Sequence, residues 1–170
     1  MHRVRPCGDQ ETASILHIIN TAAQAYRGVI PQDCWHEPYM SEPEFQRDLN
    51  AGIEFWGCEI DDKLVGVMGM QHVRDVDLIR HAYVLPSHQR HGVGGILIEH
   101  LCRQHARRML VGTWSDATWA INFYQRNGFE LISSPQRKAE LLKGYWTISE
   151  RQIETSVVLE LKRIGRDAEI

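Results

Sequence analysis

The chain has 170 residues, 43% hydrophobic and 24% charged, with 19 Lys+Arg against 22 Asp+Glu for a formal net charge of −3. That length suits one domain with a single core, and the composition excludes a disordered chain. The charge balance argues against a nucleic-acid surface as the main business of the chain. No apolar run reaches the roughly 20 residues of a membrane span. The opening Met1-His2-Arg3-Val4-Arg5-Pro6 lacks the apolar region of a secretory signal. Cys7, Cys34, Cys58 and Cys102 are too scattered for a metal pair or a dense disulfide framework. Reduced thiols in a cytoplasmic protein are therefore expected.

Arg3-Val4-Arg5 reads as a short first strand, ended by Pro6 and Gly8. Asp9 is expected to cap the helix that follows, whose apolar stripe is Ile15, Ile18, Ile19, Ala22 and Tyr26. Gly28 and Pro31 stop it, and residues 29–40 read as a loop. Ser41 and Glu44 form a capping-box pattern for a second helix, with Pro43 in its first turn. Trp56, Cys58 and Ile60 alternate with polar or small residues, Asp61-Asp62 makes a hairpin turn, and Leu64 to Gln71 is the apolar return strand. Leu78 to Leu85 is a further strand, closed by Pro86. A helical period runs from Val93 to about Arg108, then a short strand from Met109 to Val111. Thr118 to Asn127 is helical, stopped by Gly128, and Phe129 to Ile132 is extended. Alternation at Ile153, Thr155, Val157, Leu159 and Leu161 predicts a last, half-buried strand. This order is that of an α/β or α+β domain with one mixed sheet and helices on its faces.

The most informative stretch joins the Leu78–Leu85 strand to the next helix through Pro86-Ser87-His88-Gln89-Arg90-His91-Gly92-Val93-Gly94-Gly95. A helix N-terminus offers unpaired N–H groups and the positive end of the helix dipole, and glycines let an anion approach them. Arg90, with His88 and His91, adds positive charge. The loop is an anion cradle suited to a pyrophosphate. It lacks the third glycine of a dinucleotide-binding fingerprint and the lysine of a Walker loop.

Gln89-Arg90-His91-Gly92-Val93-Gly94 resembles the Q/R-x-x-G-x-G/A signature of the GNAT superfamily of N-acetyltransferases. Two flanks strengthen the resemblance. Tyr83-Val84-Leu85-Pro86 is similar to the end of the family's fourth strand, and residues 120–130 to its A-x-x-x-Y-x-x-x-G-F-E segment. The strand–helix order fits from Val4 to Leu161. The resemblance implies a single N-acetyltransferase domain over residues 1–170, with a central mixed, mostly antiparallel sheet flanked by helices. Acetyl-CoA is the implied cosubstrate, with no metal.

On the same resemblance, Tyr124 is the general acid for the leaving thiolate, and the N–H of Val84 or Leu85 is the oxyanion donor. Gln89, Arg90, His91, Gly92, Val93, Gly94 and Gly95 hold the diphosphate. Plain packing of Tyr124 on its helix face is the alternative. The carboxylate that many relatives carry near the start of the fourth strand has Leu78 in its place, and Asp77 points to the other face of a regular strand. His81 is the candidate base, against a packed histidine or a water chain. A second departure is Ala117, where many relatives have Asn; contact with the pantetheine arm then falls to Ser115, Asp116 or the backbone. Arg103, Arg107 and Arg108 form a weak candidate for the 3′-phosphate. His100 and His105 are misaligned for zinc.

In this family the acceptor site is built from the first two helices and their loop. Tyr26, Trp35, Glu37 and Tyr39 mark it here, and their aromatic and acidic character suits a cationic amine, either small or on a peptide. The same residues are equally compatible with core packing and a solvated surface. Residues 137–146 form another candidate wall, and the late strand a surface for homodimerisation. A non-catalytic coenzyme-A-binding sensor and an interaction module without cofactor are the competing functions on this fold.

Overall fold

The structure, a computed structural model, describes residues 1–163. The elements run β1 (His2–Pro6), α1 (Thr12–Ala22), α2 (Glu42–Asn50), β2 (Glu54–Ile60), β3 (Lys63–Val73), β4 (Val76–Val84), α3 (Val93–Gln104) and β5 (Arg108–Trp114). They continue with α4 (Thr118–Arg126), β6 (Phe129–Leu131), α5 (Pro135–Tyr145), α6 (Glu150–Thr155) and β7 (Ser156–Leu161). One seven-stranded sheet has the order β1-β2-β3-β4-β5-β7-β6. Its neighbours are antiparallel except β4 and β5, which are parallel.

The local chemistry explains most of these boundaries. Ser41 Oγ accepts from Glu44 N at 3.3 Å while the Glu44 carboxylate takes the Ser41 N–H at 2.8 Å, the reciprocal cap expected for α2. The stripe of α1 buries Ile15, Ile18, Ile19 and Ala22. The entry to α1 differs from the expectation: Asp9 opens a single 3-10 turn and caps nothing. α1 itself has no side-chain cap; the turn before it is held by Glu11, whose carboxylate accepts the Gly8 N–H at 2.7 Å and is itself held by Arg5 at 2.5 and 2.8 Å.

α3 ends at Gln104 rather than near Arg108. There His105 turns extended and its Nδ1 meets the Leu101 carbonyl at 2.8 Å, while the Arg163 guanidinium donates to the carbonyls of Cys102, His105 and Arg107. The larger difference is near the C-terminus. Ile153 and Thr155 are helical, not extended, and β7 starts only at Ser156. Ser149 and Gln152 form a capping box that opens α6, and Ser134 caps α5 with Pro135 in its first turn. The expected wall of residues 137–146 is thus mostly helix.

Side chains alternate across the sheet, so each strand feeds two cores. Met68, Ile79, Met109, Val111 and Leu159 pack under α3 and α4. Val67 faces α1 and α2 on the opposite side, and Val76, Leu78, Leu110 and Val158 face α5 and α6. Among the described residues no helix is long and apolar enough to cross a membrane. All four cysteines are free.

Two irregularities shape the site. β4 pairs with β5 only from Val76 to Ile79; beyond that β4 follows β3 to Val84 while β5 follows β7 to Trp114. The parallel strands therefore part. In the same stretch the register shifts from Val67↔Tyr83 to Gly69↔Arg80, so that His81 and Ala82 together oppose Met68 in a β-bulge, with His81 at φ 55°.

Candidate active site

The parted strands leave a cleft of about 710 Å³, walled by residues 79–84 of β4, residues 111–113 of β5, the first turn of α3, and α4. Backbone groups of β4 that would have bonded β5 face this space. Leu85 N–H donates to Val65 O at 2.9 Å. Since consecutive amides in an antiparallel ladder point to alternate sides, the Val84 N–H turns away from β3 and into the cleft. Of the two amides expected as oxyanion donors, Leu85 is thus engaged elsewhere and Val84 remains. The Val84 carbonyl accepts from Gln89 Nε2 at 3.1 Å.

The glycine loop closes one end. Gly92 caps α3 in the left-handed region at φ 78°, which a side chain would oppose, and Arg90 stands at φ 67°. The N–H groups of Val93, Gly94 and Gly95 open the helix and have no partner within it. A Cβ on Gly94 would lie 3.1 Å from the Phe123 ring, so glycine lets α3 sit hard against α4. No atom lies within 4 Å of a Cβ at Gly92, and only Asn127 Oδ1 approaches one at Gly95, at 4.0 Å. His88, Gln89 and Arg90 line this end of the cleft, joined by Arg126 and Asn127 of the α4 terminus. His91 lies beside them, its ring edge-on to His88 at 6.2 Å. Arg103, Arg107 and Arg108 do not take part. They bind Glu99, the Arg74 carbonyl and Glu160, at or beyond the far end of α3.

Tyr124 lies midway, 6% exposed, its ring edge-on to Phe123 and Phe129 at 5.2 and 5.7 Å. It lines the cleft, and its hydroxyl makes no hydrogen bond to the described residues. Burial, with a smaller contribution from Tyr26, pushes its phenol well above the ordinary value. Ala117, where the resemblance leads one to expect Asn, is fully buried.

His81 also lines the cleft. Its Nε2 lies 2.7 Å from Asp48 Oδ2, and its ring stacks on Phe55 at 6.0 Å. Burial lowers the imidazole pKa and Arg80 lowers it further; the bond to Asp48 works against them without reversing the direction. Asp77 is buried on its own, paired to His72 outside the cleft.

The four acceptor candidates separate. Tyr26 lines the cleft, stacked on Trp119 at 5.9 Å and edge-on to Tyr83 at 6.3 Å. Tyr39 stands behind it, 5.4 Å from Tyr26, and its hydroxyl accepts from Trp114 Nε1 at 2.9 Å. Trp35 stacks on Tyr39 and does not reach the cleft, while Glu37 is exposed and bound to Gln24. Burial raises the Tyr26 phenol to about 12 and raises Tyr39 and Tyr83 as well. No carboxylate lines the cleft among the described residues, which corrects the expected acidic wall. Nothing in the sequence pattern marked Asp48 or Trp119; the bulge at His81 brings the first against His81, and α4 brings the second to the cleft.

Residues 51–131 match the model of the acetyltransferase (GNAT) domain family. Among curated proteins, the peptidyl-lysine N-acetyltransferase YiaC of Escherichia coli is 30% identical over 82 residues. That match takes in 48% of this chain and 53% of YiaC, so the chain spans about half the length of that relative. The ribosomal-protein-S18-alanine N-acetyltransferase of Escherichia coli superposes over the whole of both chains, with a TM-score of 0.68 at 16% identity. The PaiA N-acetyltransferase of Thermoplasma acidophilum, solved with coenzyme A, superposes over 96% of this chain and 99% of its own, with a TM-score of 0.71 at 14% identity. The fold is that of these enzymes, and residues 51–131 are similar to the acetyltransferase (GNAT) domain.

Proposed function

We propose that the protein is an N-acetyltransferase that passes the acetyl group of acetyl-CoA directly to an amine while both are bound. One observation carries this reading. The parted β4 and β5 hold, in a single cleft, an anion cradle at one end, an inward backbone N–H at Val84, and the Tyr124 hydroxyl between. Coenzyme A in the PaiA structure and the family match support the same cosubstrate. The residues fit it: Gly92 and Gly95 keep the approach to the α3 N-terminus open, and Arg90 and Arg126 supply positive charge around it.

Bound acetyl-CoA would supply an activated thioester. Val84 N–H donates to its carbonyl oxygen as negative charge builds there, in a site where a fixed donor is worth more than water. As the C–N bond forms and the C–S bond breaks, the Tyr124 hydroxyl gives its proton to the sulfur. Its raised pKa keeps that proton in place at neutral pH until charge develops. His81, neutral at the same pH because burial disfavours its cation, takes the proton from the amine.

The acceptor is a small-molecule or peptide amine that enters between Tyr26, Tyr83 and Trp119, whose ring faces attract its positive edge without a carboxylate to hold it charged. The peptide specificities named for YiaC and the ribosomal-protein enzyme support a peptide amine. The test is release of free thiol from acetyl-CoA across a panel of amines and peptides. Turnover of an amine is expected. Acetyl-CoA binding without turnover would instead leave a coenzyme-A-binding sensor.

A further inference from the structure

His81 stands in the left-handed region at φ 55°, a conformation that non-glycine residues rarely adopt. The bulge that imposes it puts the imidazole against α2, where Asp48 waits at 2.7 Å. Phe55 of β2 covers the ring, and both members of the pair are largely shielded, 15% and 23% exposed. The charged groups facing them are Arg80 of β4 and Arg47 of α2. Only Nε2 of His81 is engaged; Nδ1 has no hydrogen-bond partner among the described residues, and the residue lines the cleft.

We infer that Asp48 is a positioning residue for acetyl transfer: it holds His81 as the Nε2–H tautomer, so that the lone pair offered to the acceptor amine is that of Nδ1. The inference rests on the reading of His81 as proton acceptor. The balance is simple. The amine proton moves to Nδ1, the Nε2–H stays on its carboxylate, and the resulting imidazolium is paired with Asp48 until it returns the proton to solvent. Burial pushes the Asp48 carboxyl up, but the bond from His81 and the charges of His81, Arg80 and Arg47 outweigh it. Asp48 is therefore ionised when His81 is neutral. A neutral histidine takes whichever tautomer its fixed partner dictates, and a carboxylate can only accept.

Tautomer is a readout that a merely structural tie between α2 and β4 would not move. Long-range ¹H–¹⁵N spectra of the full chain, with His81 assigned through His81→Gln, should show Nε2–H in the unmodified protein. In Asp48→Asn the His81 titration midpoint should fall, because the carboxylate no longer supports the cation, and Nε2–H should lose its exclusive hold, since an amide can donate as well as accept. With free-N-terminus and lysine-containing peptides as acceptors, turnover of Asp48→Asn should drop about tenfold to hundredfold, with acetyl-CoA binding unchanged. The acid limb of kcat/KM should move to lower pH; the acceptor's own deprotonation is common to both proteins, so this displacement belongs to the enzyme. An Nδ1–H tautomer in the unmodified protein, an unmoved or raised midpoint in the variant, or undiminished turnover would overturn the inference. If His81→Gln turns peptides over at the full rate, the proton-acceptor reading has failed. An inactive His81→Gln beside a fully active Asp48→Asn removes the role of Asp48 alone.

Discussion

Val84 and Leu85 are consecutive, yet their amides serve opposite sides of β4: Leu85 N–H bonds Val65 O at 2.9 Å, and that of Val84 points where β5 has parted from the strand. One fixed donor is thereby aimed into the cleft that Tyr124 also lines, and on the proposed function these two groups serve the thioester.

Tyr124→Phe should therefore lower kcat about tenfold or more, with KM for acetyl-CoA little changed. The hydroxyl makes no hydrogen bond to the described residues, so thermal stability should stay within about 1 kcal/mol of the unmodified protein. Steady-state kinetics and a melting curve check both halves. An equal rate would return Tyr124 to packing alone.

Gly69 braces the bulge from β3. A Cβ there would lie 2.7 Å from the Arg80 carbonyl and 2.9 Å from Ile53 Cγ2. Backbone cannot move as a flexible side chain can, so Gly69→Ala should destabilise by about 1–3 kcal/mol and displace His81. Denaturant unfolding and turnover should both fall, while acetyl-CoA binding at the distant α3 terminus persists.

Glu11 accepts from Arg5 and the Gly8 N–H, and the Arg5 bonds hold its carboxyl at about 2, below the usual 4.5. A carboxylate with a lowered folded pKa stabilises above its unfolded value and loses that contribution as pH falls through the folded one. Glu11→Gln should thus cost about 1–3 kcal/mol near neutral pH. The gap from the unmodified protein should narrow between about pH 4.5 and 2. Urea unfolding across that range gives the sign directly.

Elements whose signals are local were legible in the sequence. The Ser41–Glu44 box, the α1 stripe and the alternation of β2 each involve residues a few positions apart, and the α3 glycine loop is contiguous. The strand read at Ile153 and Thr155 shows where a local pattern misleads. Alternating apolar residues suit a strand, but Ser149 and Gln152 carry a capping box that competes for the same stretch and wins. The cleft itself depends on long-range facts. That β4 leaves β5 after Ile79, that His81 doubles up with Ala82 against Met68, and that Asp48 meets His81 across 33 positions are consequences of sheet register, which no single segment encodes. Glu37 and Trp35 failed as cleft residues because composition says nothing of which loop side chains turn inward.

On the proposed function, the cleft takes acetyl-CoA with its diphosphate on the α3 N-terminus. Calorimetric titration with acetyl-CoA on the unmodified protein and on Gly95→Glu tests it most directly. Gly95 lies in a helical turn with open space beyond its Cα, so the variant adds a carboxylate at the cradle without straining the backbone. Micromolar binding to the unmodified protein, lost in a folded Gly95→Glu, is the predicted result. Absence of binding to the unmodified protein, or undiminished binding to the variant, would contradict it.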